Sequence, residues 1–220
     1  MSARRTAVVL LAAAATGAGA AARARRRLGA SAAEAQATLP GDELLPQAQV
    51  QNDRACTLPA PPEAVWPWIA QLGQDRAGFY SFETLENLAG CRIVGATRVH
   101  LEWQDVAVGD PFRLHPDIAL RVAEVDPGRC LVVTSQGGDA PGEMDFATTW
   151  TFHLAPVHQG RARATRLHLR ERYETRSRPT RLMIEATSVV SAVMTWRMMS
   201  RLRTLVTRTA DDGTDDRTAG

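Results

Sequence analysis

Residues 112–135, FRLHPDIALRVAEVDPGRCLVVTS, decide how this 220-residue chain folds. Apolar and polar side chains alternate in three short runs, 112–115, 120–125 and 130–135, broken at Pro116-Asp117 and at Asp126-Pro127-Gly128. Successive strand residues point to opposite faces, and Pro, Asp and Gly form tight turns, so the stretch predicts an antiparallel meander. The same period continues downstream. Phe146, Thr148, Trp150, Phe152 and Leu154 share one face of a longer strand, with Asp145, Thr149 and His153 on the other. After residues 156–160 a partner strand carries Thr165, Leu167, Leu169, Glu171 and Tyr173 on one face. Its opposite face, Arg166, His168, Arg170 and Arg172, is expected to lie in solvent.

Upstream of the meander, residues 50–58 read as a strand stopped by Pro59, Pro61 and Pro62. Residues 63–72, EAVWPWIAQL, place Val65, Trp68, Ile69 and Leu72 at helical spacing. Pro62 suits the first turn of that helix, whereas Pro67 is expected to tighten or kink it. Residues 82–88 predict a second short helix with Leu85 and Leu88 inward and Gly90 as its stop. Downstream, residues 180–208 predict one helix of about 28 residues, about 42 Å long. Its apolar residues, from Ala186 to Leu202, wrap nearly the whole circumference. One packed stripe needs fewer, so part of that surface is expected to meet a cavity, a partner or a membrane.

Composition excludes several chemistries. All 26 basic residues are Arg, so there is no Walker-type, Schiff-base or Ser–Lys lysine. Cys56, Cys91 and Cys130 are odd in number and far apart, which indicates neither a disulfide framework nor a zinc site. The His residues show no metal-ligand spacing, and no metal or cofactor is expected. Nucleophile elbows, phosphate-cradling loops and metalloprotease motifs are missing as well. The net charge of +2 hides a layout: residues 1–27 carry +6, 28–160 carry −10, 161–208 carry +9 and 209–220 carry −3. The basic 161–208 segment suits an anionic membrane surface, and no recognition motif for nucleic acid accompanies it.

Residues 6–22, TAVVLLAAAATGAGAAA, are uncharged and flanked by arginines on both sides. At 17 residues the stretch is at the short limit for a membrane span. It reads as a membrane anchor, as a cleaved export signal ending near Ala20–Ala22, or as a start-site artefact. The Arg-richer flank after it favours an anchor with the body of the protein on the cytoplasmic side. Gly17-Ala18-Gly19 with Ala22 imitates a dinucleotide fingerprint, but no strand leads tightly into it. The expected organisation is therefore a leader over 1–27, a linker over 28–49, a folded domain over 50–208 and a disordered acidic tail over 209–220.

Three motifs carry a resemblance to a known superfamily: LPGDEL (39–44), APPEAVWPWIAQLGQDRAGFYSFETLENLAG (60–90) and EWQDVAVGDPFRLHP (102–116). On these the chain resembles the START-like helix-grip superfamily, SRPBCC, of polyketide cyclase/dehydrase and lipid-transport type, over residues 39–208. The resemblance implies an α+β helix-grip fold: a curved antiparallel sheet wrapped around a long C-terminal helix, two short helices and an internal hydrophobic cavity. It also implies binding or transport of a hydrophobic small molecule or lipid, the alternative being a cyclase, dehydratase or hydrolase using the same cavity.

The residues suit such a wall. Trp68, Phe79, Tyr80, Trp103, Trp150, Phe152, Tyr173 and Trp196 are large apolar bodies, several with one polar tip. Gln71, Arg76, Glu83 and Gln104 would either bind a head group or fix loops. Glu171 is the one candidate acid–base group, because strand alternation places it inward beside Leu169 and Tyr173. Pairing with an arginine would instead make it structural.

Overall fold

The computed structural model describes residues 26–88, 90–137 and 145–215, with side chains described as far as residue 208. The strands are β1 (Val50–Leu58), β2 (Pro111–His115), β3 (Ile118–Asp126), β4 (Cys130–Thr134), β5 (Phe146–Gln159) and β6 (Ala162–Thr175). They form one six-stranded antiparallel sheet in the order β1-β6-β5-β4-β3-β2. The helices are α1 (Ala32–Gln36), α2 (Pro62–Ala70), α3 (Glu83–Leu88) and α4 (Arg178–Asp215). The result is an α+β fold in which a curved sheet holds a long C-terminal helix, the helix-grip arrangement.

The meander appears where the alternating runs place it, and β5 and β6 form a long hairpin from Phe146↔Thr175 to Gln159↔Ala162. β1 pairs with β6 from Val50↔Tyr173 to Leu58↔Thr165, so the first strand meets the last. On the concave side α4 crosses β1 and β6, while α2 sits over β5, β6 and α4. Between them lies the core, with Leu58, Val65, Trp68, Ile69, Phe152 and Leu167 from sheet and α2, and Met198, Met199 and Leu202 from α4.

α3 departs from its expected orientation. Leu85 and Leu88 are 55% and 84% exposed, and Glu86 is buried. Polar tethers set the face instead: Glu83 holds Arg201 at 2.7 Å, and Asn87 brackets Ile93 through its backbone N–H (2.7 Å) and C=O (3.0 Å). Burial pushes the Glu86 carboxyl pKa up, and the charge of Glu83 adds to this; the Ser81 hydroxyl offsets it only in part. A carboxyl with a raised pKa stabilises the fold below its ordinary range and loses that contribution as pH rises through the folded value. Glu86→Gln is therefore expected to stabilise the protein by about 1 kcal/mol at pH 7. Urea unfolding should show that gain shrinking by pH 4.

Residues 28–49 are not a linker. They form a strap across the convex face of the sheet, made of α1, a 3₁₀ turn at Asp42–Leu44 and the buried Leu39 and Leu45. Ser31 and Glu34 close a reciprocal cap on α1, and the Ala55 N–H of the edge strand donates to Leu28 O at 2.9 Å. Gly41, at φ +82, lies against Val132 where a side chain would not fit, and Thr151 Oγ1 donates to Pro40 O at 2.9 Å.

The strap also overturns the expectation that Arg166, His168, Arg170 and Arg172 face solvent. His168 and Arg170 are buried, and Arg166 and Arg172 are half-buried. Arg166 Nε meets Glu34 at 2.6 Å, Arg170 meets Asp53 at 2.7 Å and Asp42 at 2.6 Å, and Arg172 meets Asp42 at 2.9 Å. His168 Nε2 lies 2.9 Å from Asp53. Acids of the −10 segment thus neutralise arginines of the +9 segment across the sheet.

The hydrogen bond from Arg166 holds Glu34 at a pKa of about 2, below its ordinary 4.5. Burial works against the Asp53 carboxylate, but hydrogen bonds from His168, Gln51 and Arg170 outweigh it and keep its pKa low. A depressed carboxyl pKa contributes stability above the unfolded value and loses it as pH falls through the folded one. Amide exchange is expected to show the α1 end of the strap loosening between pH 4.5 and about 2, the interval set by Glu34. Arg166→Gln should loosen it already at pH 7.

The last helix runs to Asp215, so the first part of the expected tail is helical. Residues 216–220 and the anchor reading of residues 6–22 lie outside the described residues. Among the described residues no helix is long and apolar enough to cross a membrane.

Candidate ligand site beneath the C-terminal helix

The inward face of β1 reads Val50, Asn52, Arg54, Cys56 and Leu58, so two polar residues stand in phase with apolar ones. Opposite them, β6 presents Glu171 and Tyr173 on its inward face. Arg54 and Glu171 are 0% and 1% exposed, and Nη1 of the first lies 2.5 Å from Oε1 of the second. The same carboxylate accepts from Ser191 Oγ at 2.7 Å, Asn52 Nδ2 at 3.3 Å and the Tyr173 hydroxyl at 3.4 Å. Burial and the neighbouring Glu171 charge push the Tyr173 hydroxyl pKa well up, so it stays a donor.

α4 matches this cluster. Over Ser188–Thr195 it buries Ser188, Ala192 and Thr195 and exposes Val189, Val190 and Val193. The apolar girdle expected from the sequence is present, but in this half of the helix it faces away from the sheet. Trp196, expected in the cavity wall, is on that outer side at 55% exposure.

The cluster holds unspent donors and one unspent acceptor. Among the described residues, Arg54 Nε and Nη2 and the Asn52 carbonyl have no hydrogen-bond partner. The Trp150 indole N–H faces the Tyr173 hydroxyl without closing a full hydrogen bond. A buried polar group without a partner costs about 1–3 kcal/mol, so such a group marks a place that water or a ligand fills.

The other expected site residues are dispersed. Trp68, Tyr80 and Phe152 are close-packed core, with the Trp68 and Tyr80 rings edge to face at 5.9 Å. Phe79 sits at the core rim against Phe112 at 6.0 Å. Tyr80 takes φ +54, which is strained for a bulky residue. Its hydroxyl is pinned from both sides, accepting from Gln71 Nε2 at 2.7 Å and donating to Trp68 O at 3.2 Å. Gln71 also bridges Arg98 O and His100 N, and Gln104 donates to Pro67 O and His100 O. With Glu83 on Arg201, these three side chains fix loops. Arg76 and Trp103 line a separate cleft at the sheet's far end.

Sequence reasoning passed over Asn52, Arg54 and Ser191. The signal was available for Arg54: a charge alternating with Cys56 and Leu58 on an inward face needs an opposite charge in the same layer, and Glu171 is one.

Fold and cluster together define an α+β helix-grip protein with a polar node sealed under its C-terminal helix. No family model matches the chain, and no curated protein matches it. Among solved structures, protein MLL2253 of Mesorhizobium loti is 21% identical at TM-score 0.41, covering 73% of this chain and 98% of its own. Protein CV1439 of Chromobacterium violaceum is 18% identical at TM-score 0.41, covering 71% and 96%. An Arthrobacter aurescens protein is 14% identical at TM-score 0.41, covering 79% and 92%.

Proposed function

We propose that this protein binds and carries an apolar small molecule, lodged between the sheet and the C-terminal helix, whose one polar group docks on Arg54. The observation that carries this reading is that two Arg54 nitrogens, Nε and Nη2, are buried without an acceptor beneath α4. Glu171 already balances the guanidinium charge at 2.5 Å, so the group that completes the node is a neutral acceptor such as a carbonyl or hydroxyl. Trp150, beside Glu171 across β5 and β6, and Val133 beyond it offer an apolar wall for the remainder. The resemblance of residues 39–208 to START-like helix-grip proteins supports the same reading. Carrying is favoured over catalysis because the Glu171 carboxylate is already engaged by an arginine and three hydroxyl or amide donors.

Native mass spectrometry of the full chain, purified without detergent, tests this. The expected result is a retained apolar adduct bearing a carbonyl or hydroxyl group; bare chain, with nothing extractable after unfolding, overturns it. The leader over residues 1–27 would hold the carrier at a membrane. Full-length chain should then sediment with membranes and a chain lacking 1–27 should not; equal solubility of the two rejects the anchor.

A further inference from the structure

A second site is built at the far end of the sheet from the Arg54 node. Arg76, Arg92 and Arg98 line a cleft of about 440 Å³, with His100 and Trp103 forming another wall. Residues 28–160 hold seven arginines among seventeen acids, and three of the seven converge here. None of these three side chains makes an ion pair or hydrogen bond among the described residues. The one acid in the lining, Asp75, is turned to Arg113 at 3.6 Å.

The loop that presents Arg92 and Arg98 is fixed, and it is tied to the Gly73–Gly78 turn that carries Arg76. Ile93 and Ala96 are buried, the Ala96 N–H donates to Ala77 O at 3.2 Å, and the Asn87 side chain brackets Ile93. Further along, the Gln71 amide donates to Arg98 O at 3.1 Å and accepts from His100 N at 3.0 Å. With its backbone held at each of these points, the loop leaves only the arginine side chains to be ordered on binding. His100 stacks on Trp103 at 4.2 Å and 24° between planes, a flat wall beside the charged one.

We propose that this cleft binds a phosphate monoester. With Arg113 paired to Asp75, and Glu102 lying 3.0 Å from His100 and within electrostatic reach of Arg98, four guanidiniums and two carboxylates leave a surplus of two positive charges, which matches the roughly −1.5 to −2 of a monoester near neutral pH. A tetrahedral group with three terminal oxygens meets donors from three sides, whereas a planar carboxylate fits one or two guanidinium forks. The ester's organic part lies against the His100–Trp103 stack. That part is either a soluble molecule or the glycerol end of a lipid, and the exposed Val94 and Leu101 near the cleft suit the second source.

Phenyl phosphate titrated into the full chain, followed by calorimetry, tests the soluble arm. Co-sedimentation with phosphatidylcholine vesicles containing phosphatidic acid, against vesicles containing phosphatidylglycerol, tests the lipid arm. Each of Arg76→Gln, Arg92→Gln and Arg98→Gln is expected to weaken phenyl phosphate binding about tenfold. Raised salt should weaken it too, while Arg161→Gln, in the exposed β5–β6 turn, should leave it unchanged. Vesicle binding that prefers the monoester lipid and is lost in the triple variant identifies a lipid headgroup. Saturable phenyl phosphate binding without vesicle binding identifies a soluble ligand. A triple variant that binds like the parent, or no saturable binding in either arm, overturns the proposal. The cleft shares no residue with the Arg54 node, so these results are independent of whether an apolar molecule is carried.

Discussion

Arg54→Leu is expected to destabilise the protein by about 3–5 kcal/mol, because it leaves the Glu171 carboxylate buried with no cation. Ser191, Asn52 and Tyr173 would still donate to that carboxylate, but none carries a charge to balance it. The double variant Arg54→Leu/Glu171→Leu removes both charges and should recover most of the loss, since a buried ion pair replaced by apolar groups is often nearly neutral. Urea unfolding of parent, single and double variants measures both steps. If the single variant loses less than about 1 kcal/mol, water reaches the node and the pair is not sealed. Ligand occupancy separates structure from binding: the double variant should fold and yet carry no adduct in native mass spectrometry.

Arg170→Leu should rank next, at about 3 kcal/mol, by uncoupling the strap from the sheet. The guanidinium meets Asp53 and Asp42 by ion pairs and donates to the carbonyls of Ala37, Glu34 and Ala35, so one side chain ties α1 and the turn after it to β6. Asp53 would retain His168 at 2.9 Å, which is why the cost stays below that of an unpaired charge. Limited proteolysis should then cut within residues 28–45 while the β2–β6 sheet stays protected. A strap that remains resistant would show that Leu39, Leu45 and the Gly41–Val132 contact hold it without the charges.

Strand identity was readable because alternation and Pro/Gly punctuation are local: the 50–58 strand has the bounds expected of it, and the meander differs by a few residues at its ends. The strap was unreadable for the opposite reason. Its cohesion comes from Glu34 and Asp42 meeting arginines about 130 residues away, and its own Ala-, Gln- and Pro-rich sequence shows no period. Leu85 and Leu88 misled because a six-residue helix is oriented by its tethers, here Glu83 and Asn87, more than by its two leucines. At the two candidate sites, Glu171 and Arg76 were legible as candidates, whereas Arg92 and Arg98 lie on an irregular loop where no spacing links them.

The register between β1 and β6 also has a consequence for how the chain is made. Val50 finds its partner only at Tyr173, and Glu34 finds its own at Arg166, so neither can settle before the ribosome has delivered β6. The β2–β6 strands pair with sequence neighbours and can zip as they emerge; the strap and β1 must wait, with an unpaired strand exposed, until β6 is made. Closure of the strap over β1 therefore follows the synthesis of β6. Until it happens, the edge that Leu28 later covers is open to pairing with another nascent chain.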